Sequence, residues 1–173
     1  MGGQLGLPCA AMSEDAPIFV PADVPANLRF AIAAARFNDK LVSTLLSGCL
    51  KRFAELGVDE HRVEVGRVPG AFELPLAAQA LARTGRFAAV ICLGAVVRGD
   101  TPHFEYVAGE AARGIAEVCR HENIPVVFGV LTTNDEQQAW DRAGGKHGHT
   151  GERAAEAAIE MALLMHKIKA SVK

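Results

Sequence analysis

Four short apolar runs, each followed by a stretch of helical periodicity, constrain this chain more than any other feature. Leu28 to Ala35, His61 to Val68, Ala88 to Val97 and Pro125 to Leu131 read as strands. Asp39 to Leu56, Ala71 to Arg83, Thr101 to Glu122, Asn134 to Ala143 and Gly151 to Lys169 read as helices. Strict alternation of strand and helix is the pattern of a parallel sheet, with crossover helices covering both faces. The third run is apolar throughout, as in a buried strand of a parallel sheet, the fourth is a continuous Val-rich run, and the second alternates. The expected fold is α/β, a three-layer α/β/α sandwich around a four-stranded parallel sheet.

Local signals agree with this division. Asn38 is a plausible N-cap, and Leu41, Leu45, Cys49, Phe53 and Leu56 mark one helical face that Gly57 closes. Pro75 is tolerable near the first turn of its helix, Gly85 closes that helix, and Gly144-Gly145 ends the short one. Residues 1–16 carry Gly, Ala and Pro without periodicity and are expected to be a flexible lead to one domain over 17–173, with Met12 a second candidate start. Ile18-Phe19-Val20, between Pro17 and Pro21, is at best an edge strand, available to pair with another subunit.

At 173 residues, one domain with a sizeable core is expected. Half of the residues are hydrophobic and 22% charged, and the net charge is −2, so there is no basic excess to favour nucleic acid or an anionic membrane. No apolar run approaches the ~20 residues needed to span a bilayer. The lead lacks the basic region of a signal peptide and the Ser or Thr of a myristoylation signal, which makes the cytoplasm the default location. Cys9, Cys49, Cys92 and Cys119 are far apart and form no CxxC pair. The last three read as buried or partly buried thiols rather than a zinc site.

The segment Gly94 to Val107, GAVVRGDTPHFEYV, carries the chemistry. Its strand breaks at Arg98-Gly99-Asp100, and Thr101-Pro102 supplies a helix start, Thr as cap and Pro at the first helical position. That puts His103 in the first turn of a helix at the carboxyl edge of a parallel strand, where open α/β sheets bind ligands. The amides of Gly99, Asp100 and Thr101 and the helix dipole favour an anion there. The same positive end disfavours imidazolium, leaving His103 available as a base. The competing explanation is a histidine that only caps or packs.

The same segment nearly spells a phosphate-binding P-loop, but Asp100 stands where the lysine must be, which rejects a nucleotide triphosphatase. No GxGxxG fingerprint follows any strand. His147-Gly148-His149 lacks companion ligands at metal spacing, and His61, His121 and His166 read as solvated.

The strand ends are more telling together. They offer Phe37-Asn38, Gly70-Ala71-Phe72-Glu73, the His103 turn, and Phe128 with Thr132-Thr133-Asn134. Phe37 can stack on a flat ring, Glu73 can accept from hydroxyls or ring N–H groups, and Arg142 and Lys146 flank a Gly-Gly turn able to clamp a phosphate. Each has a dull explanation alone, as core, helix-terminal charge or solvated surface. Collectively they describe a site for a planar polar ring, a polyol and a phosphate.

RFN (36–38), VPGAFELP (68–75), GAVVRGDTPHFEYV (94–107), PVVFGVLTTN (125–134) and DRAGGK (141–146) occur in the order and wording of one family. From Leu28 to its C-terminus the chain resembles the 6,7-dimethyl-8-ribityllumazine synthases of riboflavin biosynthesis. The resemblance implies a flavodoxin-like fold, homopentamers with sites between neighbouring subunits, and no metal or redox cofactor. It implies that Phe37 stacks on the pyrimidine of 5-amino-6-(D-ribitylamino)uracil beside Asn38, that Ala71, Phe72 and Glu73 hold the ribityl chain, and that Val96 and Val97 line the ring pocket. Gly99, Asp100 and Thr101 would bind the phosphate of 3,4-dihydroxy-2-butanone 4-phosphate, with His103 shuttling protons. Phe128 and Arg142 would come from the neighbour, Arg142 to the phosphate.

Three departures accompany the likeness. Asp100 puts a carboxylate beside the phosphate site and is expected to point away. Trp140 replaces a more usual aliphatic residue, and Thr150 stands where many relatives have a second lysine. A short turn after Lys146 leaves a sixty-subunit capsid open, while Pro17, Pro21 and Pro25 argue against the pairing a shell requires. Riboflavin synthase is a conceivable partner. Two rival functions are a low-activity, lumazine- or flavin-binding, shell-forming paralogue, and a riboflavin-forming enzyme acting on two lumazines.

Overall fold

The computed structural model describes residues 24–171. The expectations for the 1–16 lead, Cys9, Met12, the Ile18–Val20 edge strand, Pro17 and Pro21 therefore lie outside the described residues. The sheet is parallel, in the order β2-β1-β3-β4, built from β1 (Phe30–Ala35), β2 (Val63–Val68), β3 (Ala89–Val97) and β4 (Val126–Thr133). The helices are α1 (Asp39–Glu55), α2 (Leu74–Arg83), α3 (His103–His121), the five-residue α4 (Glu136–Trp140) and α5 (Thr150–Ser171). A small antiparallel hairpin, β5 (Ala143–Gly145) with β6 (Gly148–His149), precedes α5. This is the α/β/α sandwich expected from the sequence.

Period-two alternation within the strands divides the core into two layers. Phe30, Ile32 and Ala34 of β1 and Ala89, Ile91, Leu93 and Ala95 of β3 face α1 and α5, where they meet Leu41, Leu45, Phe53, Ala155 and Ile159. The Phe30 and Phe53 ring centroids are 4.9 Å apart. The intervening residues Ala31, Ala33, Val90, Cys92 and Val96 face α2 and α3, against Leu74, Ala78, Ala111 and Ile115. Small residues set the spacing: a Cβ on Gly114 of α3 would come within 2.7 Å of the Pro75 ring on α2.

Several boundaries differ from the sequence reading. His61 lies in a 3₁₀ turn, Glu60–Arg62, ahead of β2. Arg62 is buried there and donates from Nε and Nη2 to the carbonyls of Leu28 and Pro25 at 3.0 and 2.7 Å, so the side chain is spent on the chain entering β1. Ala71–Glu73 is likewise 3₁₀, and α2 begins at Leu74 with Pro75 in its first turn. β4 runs two residues past Leu131 because Thr132 and Thr133 pair with Val96 and Val97. Asn134 is not the cap of α4: Asp135 accepts from the Gln138 amide at 2.7 Å and takes that role. α4 also stops at Trp140 rather than Ala143, because Ala143 enters the hairpin.

Candidate active site

Because the strands are parallel, their carboxyl ends lie along one edge of the sheet, and a cavity of about 680 Å³ opens there. Phe37 enters it from the end of β1, Pro69 to Glu73 from the end of β2, Ala95 to Val97 from β3, and Gly99, Thr101, His103, Phe104, Tyr106 and Val107 from the turn and first coils of α3.

Backbone hydrogen bonds fix the first of these walls. The amides of Arg36 and Phe37 donate to the carbonyls of Val68 and Pro69 at 2.8 and 3.0 Å, extending the β1–β2 pairing past the strands. Asn38 then turns the chain in the left-handed region (φ 58°, ψ 44°), a conformation asparagine tolerates better than most residues. It sits at the cap position foreseen for it, but its side chain does not cap α1; Nδ2 donates instead to the Ala95 carbonyl at 2.8 Å. Phe37 is left 71% exposed at the cavity.

At the second wall the Gly70 amide donates to Oε2 of Glu73 at 2.9 Å. That bond fixes the carboxylate at the mouth of α2, and its other oxygen has no hydrogen bond among the described residues.

At the third wall, the helix start differs in detail from expectation. Pro102, not Thr101, occupies the cap position, α3 begins at His103, and no side chain caps it. Among the described residues no acceptor takes the amides of Gly99, Asp100 or Thr101. An uncapped helix N-terminus beside unpaired amides favours an anion. His103 is exposed at this point and lines the cavity. Arg98 sits just behind the turn, with Nη1 donating to Glu105 Oε1 at 2.6 Å and Nε to Asn134 Oδ1 at 3.1 Å.

The cavity thus brings together Phe37, Ala71, Phe72, Glu73, Val96, Val97, Gly99, Thr101 and His103. It does not include Asn38, Asp100, Phe128 or Arg142. Asn38 acts one layer behind through Ala95, and Asp100 is exposed away from the lining. Phe128, on edge strand β4, is 41% exposed. Arg142 donates from Nη1 to the Gln138 carbonyl at 2.9 Å. Sequence reasoning did not single out Phe104, Tyr106 and Val107, although Tyr106 and Val107 lie three and four residues past His103 and so share its helix face.

Beyond the cavity, Lys146 pairs with Asp141 at 3.0 Å, and this contact with the Gln137 amide holds the Asp141 carboxyl below its ordinary range. No cluster of three or more His, Cys, Asp or Glu side chains that could hold a metal, around His149 or elsewhere, occurs among the described residues. The His149 ring occupies the space where Gly48 lacks a side chain, and its Nδ1 is buried without a partner. Trp140 donates from Nε1 to Glu136 at 3.1 Å, and the Thr150 hydroxyl accepts from Arg153 at 3.2 Å. Burial pushes the Cys49 and Cys92 thiols up to about 12, which removes both as thiolate nucleophiles. No helix among the described residues is long and apolar enough to cross a membrane.

A flavodoxin-like sandwich with a cavity at its strand ends, a turn of unpaired backbone amides and an adjacent histidine has the layout of a small-molecule enzyme of the α/β class. Residues 27–166 match the family model described as 6,7-dimethyl-8-ribityllumazine synthase. The chain is 51% identical over 142 residues to the 6,7-dimethyl-8-ribityllumazine synthase of Syntrophus aciditrophicus (strain SB), covering 82% of this chain and 92% of that protein. It is 51% identical over 142 residues to that of Thermus thermophilus, covering 82% and 90%. The chain belongs to the 6,7-dimethyl-8-ribityllumazine synthase family.

Proposed function

We propose that this chain is a transferase of riboflavin biosynthesis, condensing 5-amino-6-(D-ribitylamino)uracil with 3,4-dihydroxy-2-butanone 4-phosphate. The products are 6,7-dimethyl-8-ribityllumazine, phosphate and two water molecules. The observation that carries this reading is the single cavity joining an exposed aromatic ring, a fixed carboxylate and an unpaired amide turn ending at His103, in a chain of this family.

The 5-amino group attacks the ketone carbonyl, and loss of water gives an imine. Elimination then expels phosphate, the ribitylamino nitrogen closes the ring, and the second water leaves. Phe37 stacks on the pyrimidine, and Val96 and Val97 bound the ring pocket. Ala71, Phe72 and Glu73 hold the ribityl chain, with the unbonded Glu73 oxygen accepting a hydroxyl. The amides of Gly99, Asp100 and Thr101 bind the phosphate and stabilise it as it departs. His103 carries protons between the amine, the carbinol oxygens and the leaving groups. Holding both substrates in one cavity supplies much of the rate. No net electrons are transferred, so the steps call for no redox group.

In this reading the enzyme is a cytoplasmic homopentamer. Phe128 and Arg142, which do not reach the cavity of their own subunit, complete the neighbour's site, Arg142 at the phosphate. Sedimentation of the purified protein distinguishes a pentamer from a sixty-subunit shell.

The test is lumazine formation, followed by absorbance at low substrate concentration, with the unaided condensation subtracted. A rate proportional to protein concentration supports the synthase. A background rate in folded, assembled protein overturns it in favour of a binding or shell-forming paralogue, and turnover of two lumazines instead would indicate the riboflavin-forming reaction.

A further inference from the structure

Arg98 is the first residue past β3 and makes contacts on three sides. Its amide donates to the Thr133 carbonyl at 2.9 Å, its Nε to Asn134 Oδ1 at 3.1 Å and its Nη1 to Glu105 Oε1 at 2.6 Å. The guanidinium also lies 4.3 Å from the centroid of the Phe104 ring, which forms part of the cavity wall. Arg98 itself does not line the cavity.

We propose that Arg98 is a positioning residue: with Glu105 and Asn134 it fixes the shape of the Gly99–Thr101 turn, and so the grip on the phosphate-bearing substrate. This rests on the function proposed above. The turn has little else to hold it. Among the described residues its amides have no acceptor, and the helix behind it has no side-chain cap. A glycine begins it, which adds backbone freedom. The Arg98–Glu105 contact spans this turn end to end, and the Asn134 contact ties it to the carboxyl end of β4. A planar guanidinium makes both hydrogen bonds while stacked on Phe104, and a lysine ammonium on its flexible stem does not reproduce that fork. Both side chains of the ion pair are well exposed, so the pair adds little to fold stability and its effect is on local geometry.

The rival account is that Arg98 merely attracts phosphate through its charge, and the two accounts separate by sign. If Arg98 positions the turn, Arg98→Lys raises KM for the butanone phosphate about tenfold while KM for the aminouracil stays within about twofold. Glu105→Gln, which weakens the clasp without removing the cation, raises the same KM by about threefold. If charge attraction were the cause, Arg98→Lys would behave as wild type and Glu105→Gln, by removing a nearby anion, would lower that KM. Either result overturns the proposal, as does an equal loss for both substrates accompanied by a lowered melting temperature.

Calorimetric titration with inorganic phosphate gives a reading independent of turnover. Weaker binding by both variants than by wild type supports the clasp, and unchanged binding overturns it. Wild-type protein that binds phosphate with this dependence but forms no lumazine overturns the proposed function alone.

Discussion

The Asn38 side-chain amide donates to the Ala95 carbonyl at 2.8 Å, tying the residue just ahead of α1 to a β3 residue that lines the cavity. The neighbouring residues on each side of this bond, Phe37 and Val96, both line the cavity. This hydrogen bond thus carries the β1–β3 pairing beyond the end of its ladder, to the two cavity walls.

Asn38→Ala removes that bond and also places alanine at a positive φ. The expected loss of stability is about 2 kcal/mol, from the hydrogen bond and the backbone conformation together. Asn38→Gly, which accepts the conformation, is expected to lose about half as much. Urea unfolding midpoints of the two variants check both values; equal losses would assign the whole effect to the hydrogen bond.

Phe37→Ala is expected to raise KM for the aminouracil about tenfold through lost stacking, with the butanone phosphate affected much less. Phe37→Tyr keeps the ring face and is expected to stay near wild type. Steady-state kinetics with each substrate varied in turn decides the matter. Phe37 is already exposed, so the fold is expected to tolerate its removal with little change in melting temperature.

His103→Ala is expected to slow turnover at saturating substrate about a hundredfold, the lower end of what positioned proton transfer contributes. Assembly, measured by sedimentation, is expected to be unchanged. Wild-type turnover in this variant would remove His103 from the proton-transfer role.

Asp141→Asn addresses acid stability. The Asp141 carboxyl is held low in the folded protein by Lys146 and Gln137, so the folded state binds its proton less readily than the unfolded chain. The stability this contributes is fully present above the ordinary carboxylate pKa and is lost as pH falls through the lowered folded value. Between about pH 6 and pH 3 the variant is therefore expected to show a shallower decline in unfolding midpoint than wild type. Parallel curves for the two proteins would disprove the linkage.

Strand and helix order was legible because apolar runs such as Ala89–Val97 admit few other readings and the helices between them carry one apolar face. The cavity was legible for a topological reason: parallel strands bring Phe37, the Gly70–Glu73 turn and His103 to one edge although they are far apart in sequence. Details that depend on which neighbour wins a local competition were not. Asn134 and Asp135 are both good caps, and only the structure shows that the aspartate holds the Gln138 amide. The run Ala143 to His149 has turn chemistry compatible with a helix end or a hairpin, and the antiparallel pairing of Ala143 with His149 decided it. In the sequence Arg98 only ends the apolar run of β3, because its partners, Glu105 and Asn134, lie seven and thirty-six residues away.

The strand order has a consequence for synthesis. β1 is an interior strand, buried along its whole length, yet one of its two partners is β3, which follows it by more than fifty residues. Until residues 89–93 leave the ribosome, β1 can pair only with β2, and its other edge presents unpaired backbone groups beside wholly apolar side chains. The half-made chain is therefore sticky along the seam that β3 later closes, and the emergence of Leu93 from the ribosome is the point at which the nascent protein loses that adhesive edge.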